Sequence, residues 1–423
     1  ADALAALQCT VRVRSPAVTC ASAAPAAGGA SASIFGGQGV NVRFASSNSR
    51  HDTAAGVFSM DVTVQNLLLN PMGAADPQSV TGVYAFFHGG PVSATGTVEV
   101  HQPDGHGMFT GGMQVYYHWP ELLPRNGVSQ PSRWAFKVSP TVESFQFSIL
   151  VEADLMPLVV YDLATAGNRD VWRVAMDGSD PVRLTTNAAD DRNPTAAKGK
   201  VVFATYRNGR TDLYSVPLAG GAETRLTATA GANEGDPALS WDGTRLAYTS
   251  DASIGVAKVW TASANGTGAA RATPASFGSD GEPEASPAWW PFGGRLALVG
   301  TDGGSADVYD LALGGGMPSL LRGGATAEVD PAWSPDGTRL VFTSNVTGSG
   351  DLYMLRLSDG RVTRLTSDPQ TESYATWTPN GRIVYLAFLS GGVTQLRWLN
   401  PDVAGAARAI PVSGAPSRPH AVM

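Results

Sequence analysis

Asp330-Pro-Ala-Trp-Ser-Pro-Asp-Gly-Thr-Arg-Leu-Val-Phe-Thr-Ser344 decides the fold of this 423-residue chain, because the sequence repeats it. Asp236-Pro-Ala-Leu-Ser-Trp-Asp-Gly-Thr-Arg-Leu-Ala-Tyr-Thr-Ser250 is a close copy, and looser copies begin at Asn193, Ser286 and Tyr374. The short apolar runs alternate with polar residues and stop at Gly, Pro, Asn or Asp, which is typical of β-strands. We therefore predict an all-β chain.

The repeat can be counted from its proline position, which recurs at steps of 43 to 50 residues as Pro194, Pro237, Pro287, Pro331, Ala375 and Pro419. Each unit continues with an Asp-apolar-aromatic strand, such as Asp351–Tyr353, and an Arg-Leu-Thr strand, such as Arg364–Thr366. Four short strands in this length form one β-propeller blade. The unit that begins at Pro157 lacks a first strand, and Ser417–Met423 matches only a first strand. The sequence therefore predicts a six-bladed β-propeller over residues 157–423, closed by the C-terminal strand.

These repeats resemble the TolB-like, WD40-like (PD40) repeats, whose core reads Pro-Ala-Trp-Ser-Pro-Asp-Gly followed by apolar and aromatic residues. The resemblance covers about residues 157–423 and implies a six-bladed propeller. The family includes periplasmic proteins that hold partners at the funnel of the propeller, and propellers that guard peptidase domains. The resemblance thus implies a binding face on the propeller and a protein partner.

The sequence before the repeats predicts two further segments. In residues 1–33, Cys9 and Cys20 lie on two alternating runs that flank Ser15-Pro16, so they can face each other across a hairpin. A disulfide there would indicate an oxidising compartment, and two buried thiols are the alternative. Residues 21–33 are small and low in complexity, as in a linker or arm. Strand-like runs over residues 34–156 predict an Ig-like β-sandwich of about seven strands.

Charge and chain ends restrict the location and the partners. The net charge of −7 disfavours nonspecific nucleic-acid binding, which needs a basic surface. No stretch approaches the roughly 20 apolar residues of a membrane helix. The chain starts at Ala1 without Met, as expected of a mature chain whose signal peptide has been removed. We predict a bacterial protein that is secreted, periplasmic or on the cell surface.

One acidic residue stands three positions before five of the six repeated proline positions: Asp191, Glu234, Glu284, Glu328 and Glu372. The first strand of a blade lines the central channel, so these carboxylates are predicted to ring one mouth of it. Such a ring would favour a basic partner segment or a cation. If a metal binds, we expect Ca²⁺ at Glu234, Glu284, Glu328 and Glu372. Alternatively, each acid accepts hydrogen bonds in its own turn or pairs with the repeated arginines Arg245, Arg295, Arg339 and Arg382.

The remaining repeated residues have structural interpretations. Asp170, Asp212, Asp307 and Asp351 are expected to brace the blade turns, and Trp289, Trp333 and Trp377 to fill the core between blades. No HExxH, P-loop or Gly-x-Ser-x-Gly motif is present. We therefore predict a non-catalytic binding or scaffold protein. One alternative is a subunit that self-assembles into a surface layer or filament by strand addition. The other is a peptidase-, lyase- or lactonase-like propeller enzyme.

Overall fold

The computed structural model describes residues 6–14, 17–22, 34–35, 38–165, 167–277, 281–301, 304–403 and 407–422. The chain divides into two compact units, Ala1–Met156 and Pro157–Met423. Strands make up both units, and the helical elements of the described residues amount to one 3₁₀ turn, Ser390–Gly392. The predicted all-β class is therefore confirmed. Within the same ranges, no helix has the length and apolar character that a membrane span requires.

The N-terminal unit is a sandwich of two antiparallel sheets. Its strands are β1 Leu7–Arg12, β2 Ala17–Ser22, β3 Ile34–Phe35, β4 Val42–Asp52, β5 Val57–Asn66, β6 Val83–Val92, β7 Val98–His101, β8 Gly105–Met108, β9 Met113–Trp119, β10 Ser132–Val138 and β11 Ser144–Ala153. One sheet has the order β2-β1-β11-β6-β9-β8 with β3 also paired to β11, and the other has the order β4-β5-β10-β7.

An aromatic core joins the two sheets. Trp134 on β10 is 1% exposed and stacks on Tyr117 of β9 at 4.9 Å between ring centroids. Phe87 and Phe147 lie within 5.7 and 6.2 Å of the same tryptophan. The hydroxyl group of Tyr117 accepts a hydrogen bond from the backbone N–H of Ala135, so this buried phenol is satisfied. Large rings with one paired polar group give the sandwich a densely packed interior.

The cysteine hairpin belongs to the sandwich and is not a separate arm. Strand β1 pairs along its whole length with β11, from Leu7 opposite Ile149 to Arg12 opposite Ser144. Cys9 lies opposite Cys20 in the β1–β2 ladder, and the predicted disulfide is present. The predicted linker lies outside the described residues from residue 23 to residue 33. The Ig-like topology of this unit stays a prediction.

The C-terminal unit consists of six four-stranded sheets. Its strands, grouped by blade, are β12 Leu158–Thr165, β13 Asn168–Ala175 and β14 Val182–Arg183 in blade I; β15 Asp191–Ala197, β16 Lys200–Thr205, β17 Asp212–Pro217 and β18 Thr224–Arg225 in blade II; β19 Glu234–Leu239, β20 Arg245–Ser250, β21 Lys258–Ser263 and β22 Ala270–Arg271 in blade III; β23 Glu284–Trp289, β24 Arg295–Gly300, β25 Asp307–Ala312 and β26 Ser319–Arg322 in blade IV; β27 Glu328–Trp333, β28 Arg339–Ser344, β29 Asp351–Arg356 and β30 Val362–Arg364 in blade V; β31 Thr371–Trp377, β32 Ile383–Phe388, β33 Thr394–Leu399 and β34 Arg408–Ala409 in blade VI; and β35 Pro416–Ala421, which completes blade I.

The last strand closes the ring as the repeat predicted. Strand β35 pairs with β12, with Ala421 opposite Val159 and Pro416 opposite Leu163. It also contacts the first strands of blades II and VI, β15 and β31. Closure gives both edges of the array a partner and removes exposed strand edges between blades.

A charged brace recurs within the blades. The aspartate on the third strand pairs with the arginine of the Arg-Leu-Thr strand, at 2.5, 2.8 and 2.9 Å for Asp170–Arg183, Asp212–Arg225 and Asp351–Arg364. The threonine of the same triplet accepts a hydrogen bond from a backbone N–H of the third strand, as Thr227 does from Leu213 at 2.9 Å. These contacts fasten the short outer strand, whose backbone ladder is only two residue pairs long in blade II.

Candidate functional site

The first strand of every blade is interrupted at the same place. In blade III the ladder between β19 and β20 skips from Gly235 to Ala238, and the other five blades show the same shift. The residue inside each bulge has a left-handed backbone: Asn193 (φ 52°), Asp236 (43°), Ser286 (46°), Asp330 (52°), Tyr374 (55°) and Arg418 (32°). One residue per blade is therefore held in a conformation that side chains other than Asn and Asp rarely adopt.

The bulge has a cause in the sequence. A proline follows the left-handed residue in five blades, and alanine follows it in blade VI. Because proline has no N–H to give to a ladder, the strand bulges at that point. All six left-handed residues line one central cavity of about 110 Å³. The propeller channel is thus lined by a set of residues that we call the channel ring: Asn193, Asp236, Ser286, Asp330, Tyr374 and Arg418.

Hydrogen bonds and one ion pair connect the channel ring. The carboxylate of Asp236 accepts a hydrogen bond from the amide of Asn193 at 3.2 Å and forms an ion pair with Arg418. The carboxylate of Asp330 accepts from the hydroxyl of Ser286 at 3.2 Å. The guanidinium of Arg418 lies 5.1 Å from the centroid of the Tyr374 ring, within range of a cation–π contact.

The charges in the cavity leave an excess of negative charge. Burial opposes the charge of Arg418, but Asp236 and Asp330 outweigh it and raise the pKa of the guanidinium. Burial lowers the pKa of His420, which also lines the cavity, to about 4, so this imidazole is neutral at pH 7. Two carboxylates face one cation, and the cavity therefore carries one net negative charge.

The five predicted acids lie elsewhere. None of them lines the central cavity, and each is at most 2% exposed. They stand two residues before the left-handed position, at or next to the start of the first strand. The carboxylates that we expected to ring the mouth of the channel do not line its cavity, because the bulge presents the residue before the proline instead. Whether they bind a partner or an ion stays a prediction.

Three of these acids are held by protein groups. Asp191 accepts hydrogen bonds from Asn187 and Arg207, at 2.6 and 3.1 Å. Glu284 accepts from the backbone N–H of Val259 and from the hydroxyl of Thr273, both at 2.8 Å, and Lys258 lies 3.5 Å away. Glu328 accepts from Thr326 and Ser344 through one carboxylate oxygen. These contacts favour the structural interpretation for Asp191 and Glu284.

Glu234 and Glu372 have fewer partners than these three acids, although Oε2 of Glu328 also lacks a partner among the described residues. Among the residues that the structure describes, neither carboxylate oxygen of Glu372 has a hydrogen-bond partner of normal geometry, and burial raises the pKa of this group to about 7. Glu234 accepts one bond from Thr227 at 3.3 Å, and its Oε1 has no such partner. Burial raises the pKa of Glu234 as well, and Asp212 adds to that effect. A buried carboxylate without partners is costly, so these two positions differ from a purely structural ion pair.

The repeated arginines stack on tryptophans. The guanidinium groups of Arg245 and Arg339 lie 4.8 Å from the rings of Trp289 and Trp377, and Arg295 lies 5.6 Å from Trp333. Each of these tryptophans belongs to the next blade and is at most 3% exposed. Arg245, Arg295 and Arg339 therefore cover the core between blades instead of pairing with the five acids.

No cluster of three or more His, Cys, Asp or Glu residues suited to a metal ion occurs in the described ranges. The Ca²⁺ site at Glu234, Glu284, Glu328 and Glu372 stays a prediction. The sequence analysis did not single out the channel ring. The signal that would have found it is the residue before each recurring proline, which is polar in every copy.

Fold and channel define the C-terminal unit as a six-bladed β-propeller. Residues 275–407 match the family described as the TolB beta propeller domain, PD40. The matched residues span blades IV to VI, and the predicted TolB-type repeats are confirmed there. An uncharacterized protein of Agrobacterium fabrum is 29% identical over 152 residues, which cover 36% of this chain and 48% of that protein. The chain thus spans about half the length of this curated relative.

Solved structures agree on the fold. TolB from Acinetobacter baumannii superposes with a TM-score of 0.55 at 20% identity, covering 63% of this chain and 66% of that one. A putative TolB from Agrobacterium tumefaciens gives 0.50 at 16% identity, covering 60% and 88%. A chain from the complex of nidogen and laminin gives 0.50 at 11% identity, covering 63% and 98%. At these identities the similarity shows the fold alone.

Proposed function

We propose that this chain is a secreted, non-catalytic binding protein whose propeller holds a protein partner at its central channel. The observation that carries the proposal is the channel ring, in which six bulges turn one side chain from each blade into a single cavity. Holding several non-glycine residues in the left-handed region costs free energy, and such strain is concentrated at functional positions. A cavity of about 110 Å³ has room for the end of one side chain.

The chemistry of the channel ring favours a hydrogen-bond donor or a basic group on the partner. Among the described residues that line the cavity, Asp236 and Asp330 outnumber the cation Arg418. Asn193 and Ser286 add polar groups that can both donate and accept hydrogen bonds. Preformed polar groups in a concave site fix the orientation of a ligand. The fold shared with a chain of the nidogen–laminin complex supports a protein as the partner.

The disulfide supports the proposed location. Cys9 and Cys20 are bonded to each other, and disulfides persist in oxidising compartments such as the bacterial periplasm and the cell exterior. We therefore propose that the protein acts in the periplasm or outside the cell. Assembly into a layer or filament remains an alternative, and the following experiment separates it from partner binding.

Photo-crosslinking from the channel tests the proposal. Because both native cysteines are in the disulfide, a thiol introduced by Ser286→Cys can be labelled selectively with benzophenone. Leu320→Cys, on the outermost strand of the same blade and 57% exposed, is the matched control. In an extract of the source cells, we expect the channel position to crosslink a protein that the outer position does not, as read by mass spectrometry.

The identified partner then allows a quantitative check. Asp330→Asn removes one carboxylate charge from the channel ring and should raise the Kd for the purified partner roughly ten-fold. A crosslink from Ser286→Cys to a second copy of the chain would favour assembly. The same set of proteins at both positions would contradict a binding role for the channel.

A further inference from the structure

A second cavity lies beside the channel, between blades II and III. It has a volume of about 530 Å³ and shares Asn193 with the central cavity. Its polar lining includes Asp190, Arg192, Tyr206, Asn233, Glu234 and Asp251, and we call it the interblade pocket. The volume lies within the range of pockets that enclose ligands in proteins, about 300 to 1,000 Å³.

The interblade pocket is acidic. Among the described residues, three carboxylates and one cation line it, and that cation, Arg192, is already paired with Asp190 at 2.5 Å. Burial opposes the charge of Asp251, but two hydrogen bonds from Asn233, at 2.7 and 2.8 Å, lower its pKa and keep it ionised at neutral pH. Arg210 and Arg225 act on Asp251 and Glu234 from outside the lining, but the lining itself holds more carboxylates than cations and would attract a further cation.

Glu234 supplies an independent observation. This residue is 1% exposed and is among those that line the pocket, yet its Oε1 accepts no hydrogen bond of normal geometry from the described residues. Thr229 lies near enough to favour the charged form, whereas Asp212 on the preceding blade opposes it. Buried carboxylate oxygens in native proteins are nearly always paired with protein groups or water. Glu328 and Glu372 share this feature, but Glu234 combines it with a place in the lining of the interblade pocket, which has room for a donor.

The next blade junction shows which donor suits this position. Glu284 begins blade IV as Glu234 begins blade III, and there the chain provides its own ammonium group, Lys258. Lys258 is the first residue of β21, and the corresponding first residue of β17 is Asp212. At the Glu234 junction the chain thus places a second acid where a lysine stands one blade later.

We propose that the interblade pocket binds the ammonium group of a lysine side chain from the partner, in contact with Glu234. The aromatic ring of Tyr206, 60% exposed at the pocket lip, would lie along the aliphatic stem or face the ammonium group. Only the assignment of this lysine to a partner rests on the proposed function, because the pocket can be tested alone.

The probe is Nα-acetyl-lysine methylamide, titrated into the full chain and followed by ligand-observed NMR. Its Nε-acetylated and norleucine analogues have similar stems but no charge. We expect saturable binding of the lysine probe and at least a ten-fold higher Kd for both neutral analogues, because a charged hydrogen bond is lost. Equal binding of lysine and norleucine would overturn the proposal.

Two variants locate the bound probe. Glu234→Gln should raise the Kd roughly ten-fold, whereas Glu328→Gln should leave it unchanged, since Glu328 is the equivalent acid of a blade that does not line the pocket. Tyr206→Ala, at a position that is 60% exposed, should raise the Kd about three-fold. An unchanged Kd in both Glu234→Gln and Tyr206→Ala would place the probe elsewhere and refute the assignment.

The two proposals fail in different ways. If the lysine probe binds through Glu234 but the channel crosslinks no partner, the pocket stands and the partner-binding role fails. If the channel crosslinks a partner whose affinity Glu234→Gln does not change, and the probe does not bind, the pocket fails and the role stands.

Discussion

Replacing Glu284 with glutamine is expected to lower the free energy of unfolding by about 3 kcal/mol. The carboxylate is 2% exposed and lies 3.5 Å from the ammonium group of Lys258, which is also fully buried. It accepts further hydrogen bonds from the backbone N–H of Val259 and from Thr273. Glutamine preserves the size but removes the charge, so Lys258 loses the carboxylate beside it in a region shielded from water.

Urea unfolding of the full chain measures this loss. Glu328→Gln is the control, because its carboxylate is equally buried but accepts bonds only from two hydroxyl groups, and about 1 kcal/mol is expected. Adding Lys258→Met to Glu284→Gln should recover part of the loss, since the ammonium group that has lost the Glu284 carboxylate is then absent. Equal losses for Glu284→Gln and Glu328→Gln would show that the ion pair adds nothing.

Replacing Glu372 with glutamine is expected to raise the free energy of unfolding, but only at high pH. Burial raises the pKa of Glu372 to about 7, with Asp368 and Asp351 adding to the effect and Thr366 and Arg397 opposing it. The folded state therefore prefers the protonated form. The stability this provides is complete below the unfolded pKa of 4.5 and is lost as the pH rises through 7. Glutamine is always neutral, so the variant should exceed the wild type by about 2–3 kcal/mol at pH 8 and match it near pH 4.5.

Urea unfolding at pH 4.5 and pH 8 checks this expectation. Asp242→Asn is a control at a carboxyl group with the opposite pKa shift, because hydrogen bonds from Ser240 and the Thr244 backbone N–H lower the pKa of Asp242. Its contribution is present above the ordinary value of 3.8 and is lost only as the pH falls through the lowered pKa. That variant should be less stable than the wild type at both pH values. A Glu372→Gln variant with no advantage at pH 8 would mean that the carboxyl is solvated.

The propeller could be predicted because its evidence is local and repeated. The turn around Asp336 and Gly337 and the strands beside it recur with little change, so six units could be counted and the unpaired segment after Pro416 assigned to the first blade. The strand pairing of the sandwich was harder to predict from the sequence. The alternation of Leu7, Cys9 and Val11 shows which face is buried, but the pairing of β1 with β11 joins segments more than 100 residues apart.

The site could be predicted only in part. Periodicity located the first strand of each blade, but regular alternation does not show where the bulge turns a side chain toward the channel. The acids were thus assigned to a surface that Asp236 and its equivalents occupy. The sequence also gave no sign that Arg245 and Arg339 would cover tryptophans of the following blade, because that contact depends on the packing of one sheet against the next.

Arg418 lies on β35, the strand that completes the ring, so the cavity acquires its cation only when this strand is in place. Until that strand is in place, the carboxylates of Asp236 and Asp330 share the axis without a counter-charge, and an incomplete molecule lacks both a wall and a cation there. A nascent or clipped chain therefore lacks the complete cavity until β35 has paired with β12. Arg418 thus links the charge balance of the cavity to the closure of the propeller.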